Sequence, residues 1–189
     1  MPAIASTQRI SVPVLFFTAV IAFFLSATSA HAASAAEIDL QVNQALTAFQ
    51  KIDGTKRFLA IAKGVLVFPK VYKAGIGIGG EYGEGALRVR GKTVDYYSTA
   101  AASFGFQLGA QAKSVVILFT DETALKKFRE SEGWKVGVDG SVALVDIGVG
   151  KAVDTTNIKD PVIGFIFGQK GLMYNLTLEG SKFTKLDKK

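Results

Sequence analysis

The chain changes its hydrophobic period at Val65, and that change limits the folds open to it. Ahead of it, Ile38, Val42, Ala45, Leu46 and Phe49 recur at intervals of three and four, which predicts an amphipathic helix over residues 36–50. Asp53-Gly54 interrupts the pattern, and a second helix is expected from Thr55, as N-cap, to Lys63, with Gly64 just past its end. Beyond it the period is two, which only sheet can bury. "VLVF" (65–68) reads as a buried strand ended by Pro69, and "ALRVRGKTVDYY" (86–97) as a hairpin whose Gly91-Lys92 pair suits a II′ turn. "SFGFQLGAQ" (103–111) and "VVILF" (115–119) read as two more strands.

A helix is expected over 120–133. Thr120 or Asp121 caps it, Leu125 and Phe128 face inward, Glu122 pairs with Lys126, and Gly133 stops it. Strands resume in "WKVGVDGSVALV" (134–145), with a type I′ turn at Asp139-Gly140, and in a last hairpin around Lys170-Gly171. Lys182 to Lys189 read as a polar basic tail. The resulting class is α+β: a mostly antiparallel, strongly curved sheet or barrel-like core with two N-terminal helices and one inserted helix.

The run "GIGIGGEYGEG" (75–85) contains the G-x-G-x-x-G pattern of a dinucleotide loop. Such a loop needs a helix directly after it to receive the phosphate, and "EYGEGALRVRG" cannot start one. "GKT" (91–93) fails as a P-loop because residue 86 is alanine and no helix follows. Nucleotide binding is therefore not expected. Gly75, Gly77, Gly79, Gly80, Gly83 and Gly85 instead read as structural glycines that let a sheet curl or a neighbouring backbone approach; a ligand groove is the other reading.

Composition narrows the chemistry. Arg9 is followed by an uncharged, largely apolar stretch and then by Ala30-His31-Ala32, which predicts a signal peptide over 1–32; an uncleaved anchor is the competing reading. Cleavage there would leave residues 33–189 as one domain, with 21 bases against 16 acids, a charge that favours anionic partners. The chain has no cysteine, which excludes disulfides and lipidation at a cysteine, and its one histidine is His31. Nucleophilic triads and Cys/His zinc sites are thus excluded from 33–189, and neither a metal nor a cofactor is expected. Glu81, Glu84 and Asp95 read as exposed acids at strand ends rather than a catalytic pair, leaving no candidate catalytic residue. Lys126, Lys127 and Arg129 face solvent on their helix, and an exported protein rarely meets nucleic acid.

Four ordered stretches carry a resemblance: "AKGVLVFP" (62–69), the glycine run with Gly79-Gly80 and Gly83-x-Gly85, "SFGFQLGAQ" (103–111) and "GLMYNLTLEGSKF" (171–183). Together they resemble the SYLF family of lipid-binding domains, from about Phe58 to Leu186. Eukaryotic members carry Trp-Ser-x-Pro where this chain has Tyr97 to Ala100. They bind phosphoinositides and associate with actin, so the resemblance implies a membrane-lipid module rather than an enzyme. The expected lipid contacts are Lys51, Lys56, Arg57, Lys63, Lys70 and Lys73, of which Lys63 and Lys73 fall within the matched motifs.

The function expected from the residues and the resemblance together is an exported, non-enzymatic module, periplasmic or secreted and peripheral on a membrane. It would bind anionic or phosphoinositide-type lipid through its N-terminal helices and basic patch. The alternative is a cell-envelope interaction or structural factor with a protein partner, including actin-type association. The first helix holds Glu37 and Asp39 and no base, so its charge does not decide whether it packs on the domain or meets a bilayer.

Overall fold

A computed structural model describes residues 33–147, 159–171 and 177–188, apart from the side chains of 76, 77, 103–109, 146 and 171. Ala33–Lys189 forms one compact unit. Its elements in chain order are α1 (Ala35–Gln50), α2 (Thr55–Ile61), β1 (Gly64–Val89), β2 (Lys92–Phe119), α3 (Glu122–Glu130), β3 (Trp134–Lys135), β4 (Ala143–Asp146), β5 (Val162–Gly171) and β6 (Lys182–Leu186). The expected α+β class is borne out: the described residues form a curled six-stranded sheet, antiparallel except for the β4–β5 pair.

One long hairpin carries the sheet. The separate short strands expected between 65 and 119 merge into two, of 26 and 28 residues. Pro69 does not end the first, because the register slips between Phe68 and Val71 and the missing N–H falls in that bulge. The Pro69 carbonyl there accepts a hydrogen bond from Ser114 Oγ at 2.8 Å. Val89 pairs with Lys92, so the two-residue loop is Arg90-Gly91 rather than Gly91-Lys92. Both loop residues have positive φ, 52° and 79°, as a type I′ turn demands.

The free edge of β2 serves two neighbours. Residues 96–100 pair with β6 and residues 111–119 with β5, so the two ends of the ribbon build different parts of the sheet. The ribbon curls between them until β1 meets itself. A Cβ at Gly83 would lie 2.6 Å from the Lys70 carbonyl oxygen, and one at Gly85 would collide with that of Val67. A Cβ at Gly75 would stand 2.6 Å from the Ile78 carbonyl oxygen. These three glycines permit backbone to touch backbone, whereas a Cβ at Gly80 would meet nothing closer than 3.8 Å.

Alternation along the ribbon divides the core into two clusters. Outside the curl, α1 lays Ile38, Val42, Ala45 and Phe49 on Val67, Ala86, Val116, Ile163 and Phe165. Phe165 takes the edges of Phe49 and Phe58, each with ring centroids 5.1 Å apart. Asp39 fastens this helix by accepting hydrogen bonds from Thr93 Oγ1 at 2.6 Å and Tyr96 OH at 3.0 Å. The first helix therefore packs on the domain. Inside the curl, Phe128 of α3 touches the rings of Tyr97, Phe119, Trp134 and Phe183.

Local expectations are corrected at several ends. Gly54, in the left-handed region, occupies the N-cap of α2, while Thr55 begins the helix buried and donates to the Phe49 and Ile52 carbonyls. Asp121 caps α3 through Ala124 N at 2.8 Å, but Lys126 pairs with Glu130 rather than Glu122, and the helix ends at Glu130 rather than running on to Gly133. The turn after β3 has its positive φ at Gly137, and Asp139 accepts from Lys135 N instead of opening a type I′ pair with Gly140. Lys170 and Gly171 sit in β5 opposite Ala112 and Gln111, so no hairpin turns there. The expected tail from Lys182 is β6, because Phe183 fills the inner core and the backbone completes the ladder with β2 and β3.

Tyr97 supplies a test of the inner core. Its ring is buried, and its hydroxyl has no hydrogen-bond partner among the described residues. Burial, reinforced by the Asp95 charge and opposed by Arg129, pushes its ionisation up to about 12. The unfolded phenol ionises near 10, so its titration leaves stability unchanged below that pH and lowers it as pH rises from 10 toward 12, where the unfolded chain ionises and the buried ring does not. Tyr97→Phe is expected to cost nothing at neutral pH, or to stabilise by up to about 1 kcal/mol, because an unsatisfied hydroxyl leaves the core. The variant should also flatten the alkaline arm of a denaturation-against-pH curve.

Candidate functional site

A groove forms where the end of α2, the β1–β2 turn and α3 converge. Lys63, Arg90, Lys92, Lys126 and Arg129 line it with Glu122 and Glu130, over an apolar floor that includes Val89, Val94 and Leu125; its volume is about 990 Å³. Five bases thus meet two acids. Lys126 is held by Glu130 at 3.8 Å, an exposed pair, and Arg129 by Asp95 at 3.0 Å. Asp95 also receives Lys185 at 2.6 Å, so one carboxylate serves two cations. Among the described residues, Lys63, Arg90 and Lys92 enter no ion pair. What the groove offers is an apolar bed beneath free positive charge, suited to an anionic group joined to an apolar body.

The six expected lipid contacts are dispersed. Lys51, Lys56 and Arg57 line a second depression, of about 780 Å³, at the α1–α2 junction with Asp53. Arg57 there lies 5.9 Å above the Phe58 ring. Lys63 belongs to the groove, and Lys70 is exposed on β1. Lys73 departs from the surface set, because its side chain is only 2% exposed and its ammonium lies 3.3 Å from Glu81 Oε1 inside the curl. Sequence reasoning did not single out Arg90 and Lys92, which line the groove, although "RVRGK" is a visibly basic turn, and it set Lys126 and Arg129 aside as a solvated face.

The acids expected at exposed strand ends are all partnered. Glu81 holds both Lys73 and Lys113, the latter at 2.8 Å, and Gln111 Oε1 beside them in the ladder is buried without a partner among the described residues. Glu84 binds Lys188 at 2.9 Å and accepts from Tyr82 OH at 2.8 Å. Burial alone would raise the Glu84 carboxyl, but hydrogen bonds from Lys188 and Tyr82, with the Lys188 charge, hold it below the ordinary carboxylate value. The stability this provides is present above that range and is lost only as pH falls below it. In the same contact Tyr82 is driven up to about 12, by burial first and then by its bond to Glu84.

Residues 100–189 match the family described as Ysc84, Las17-binding protein actin regulator. Over these residues the chain is similar to the Ysc84, or SYLF, family. No curated protein matches the chain. The Ysc84 match opens within β2 and takes in α3 and β3 to β6, so Lys126 and Arg129 of the groove lie inside it. Lys63, Arg90 and Lys92 lie outside it, as do all six expected lipid contacts.

Proposed function

We propose that this SYLF-like chain is an exported, non-enzymatic module that docks on membranes carrying anionic lipid. The observation that carries this reading is the groove between α2, the hairpin turn and α3, where unpaired Lys63, Arg90 and Lys92 stand beside an apolar floor. Each base near an anionic surface contributes about 1 kcal/mol, so three free bases at one site bind such a surface and ignore a neutral one. Lys51, Lys56 and Arg57 at the α1–α2 junction extend the basic surface.

The test is co-sedimentation of Ala33–Lys189, a compact unit with both core clusters, with neutral and anionic vesicles at low and high salt. Binding to anionic vesicles alone, weakened by salt, is the expected result. Reversing two charges with Arg90→Glu and Lys92→Glu should weaken it by more than about tenfold. Equal binding to neutral vesicles, or none to either, would sink the reading.

A second reading, a protein partner on the same surface, is favoured by the description of the matched family as an actin regulator. A stoichiometric partner that competes with vesicles and is lost in the same double variant would move it to first place.

A further inference from the structure

Beyond the basic groove, one part of the β1–β2 ribbon is left uncovered among the described residues. The outer face is roofed by α1 at Val67 and Ala86, but not farther along the ribbon, where Tyr72, Ile78 and Tyr82 are 58%, 69% and 51% exposed. Residues 74–80 and 99–110, which form the two strands of this bend, contain no ionisable side chain at all. An exposed apolar surface of this kind marks a docking site.

Register shows what borders it. Tyr72 pairs with Ala112, and Ala112 with Lys170; Tyr82 pairs with Ala100, and Ala100 with Lys182. Directly paired residues share a face, so each tyrosine stands in a row that runs through an alanine to an exposed lysine. Glu84, the nearest acid on β1 outside the curl, is neutralised by Lys188 at 2.9 Å. An uncharged centre with tyrosines at its margin and lysines beyond them follows the polarity profile of a bilayer interface, from acyl chain to amphipathic ring to anionic headgroup. The hairpin ladder also pairs most of the backbone there, which entry into an apolar phase requires.

We propose that the β1–β2 bend around Ile78 inserts into the interface of an anionic bilayer, with Tyr72 and Tyr82 at headgroup depth and Lys170 and Lys182 on the phosphates. This inference rests on the membrane reading above and adds to it the element that enters the lipid. It makes binding partly apolar, so some of it survives salt that abolishes the contribution of the groove.

The cysteine-free chain permits a direct test. A single cysteine is introduced into Ala33–Lys189 by Ile78→Cys, or at the 71% exposed Val138 by Val138→Cys, and carries an environment-sensitive fluorophore. Vesicles of phosphatidylcholine with phosphatidylserine are expected to shift the emission of the label at 78 to the blue and leave that at 138 unchanged. Tyr72→Thr with Tyr82→Thr, which keeps β propensity, should lower vesicle partitioning at least about tenfold while thermal unfolding stays cooperative, with a modest loss from the Tyr82–Glu84 hydrogen bond. Protein that co-sediments while the label at 78 stays in water would overturn the insertion and leave the membrane reading standing. Absence of both co-sedimentation and shift would overturn the two together. A shift that needs no vesicles and grows with protein concentration would assign the face to a second copy of the chain and overturn the proposal.

Discussion

Replacing Gly85 by alanine is expected to lower the unfolding free energy by about 3 kcal/mol, among the largest effects of a single methyl group in this protein. The added Cβ would collide with the Val67 carbonyl oxygen and stand 2.8 Å from Phe68 Cδ1. Neither side can yield easily. Val67 is tied to Val116 and Gly85 to Tyr97 in the ladder, and the contact is where β1 curls back upon itself. Gly80→Ala is the control, since its Cβ would meet nothing closer than 3.8 Å, and a change within about 0.5 kcal/mol is expected. Urea denaturation of the two variants decides the matter: similar midpoints would mean that the curl does not depend on backbone contact at Gly85.

Glu81→Gln should cost about 3–5 kcal/mol, because it leaves two buried ammonium groups, Lys73 and Lys113, without a counter-charge. Lys73→Met is the informative partner. It removes one cation from a cluster that has two cations to one carboxylate, and Glu81 and Lys113 remain paired at 2.8 Å. Its cost is expected to stay below about 1 kcal/mol, since a flexible apolar chain replaces a buried charge of similar length. Equal losses in the two variants, read by chemical denaturation at neutral pH, would show that the lysines do not share the Glu81 carboxylate.

The groove was poorly legible in the sequence for a geometric reason. Lys63 follows α2, Arg90 lies in the hairpin turn with Lys92 just after it, and Lys126 and Arg129 sit on one face of α3. Each was visible as a base, but their convergence depends on how far the ribbon curls before α3 closes over it. The acids failed differently. Glu81, Glu84 and Asp95 looked like exposed strand ends, yet all three carboxylates are no more than 12% exposed and are ion-paired with lysines or an arginine distant in the chain. Burial of a charge depends on a partner that local pattern does not reveal.

Local pattern was enough to fix the kinds of element and their order. The change from period 3.6 to period 2 at Val65 set helices before sheet, Asp121 with Leu125 and Phe128 set the inserted helix, and the glycines of 75–85 announced a place where chains approach closely. Which face each residue takes was set by strand pairing in three dimensions. Leu66 and Phe68 point into the curl, and strict alternation from them would send Lys70 inward and Lys73 out. The bulge at Pro69 and Lys70 inserts one position, so Val71 and Lys73 turn inward while Lys70 remains at the surface. A period of two makes every downstream face depend on a single added residue, and whether a proline ends a strand or bulges within it is decided by the pairing of the partner strand.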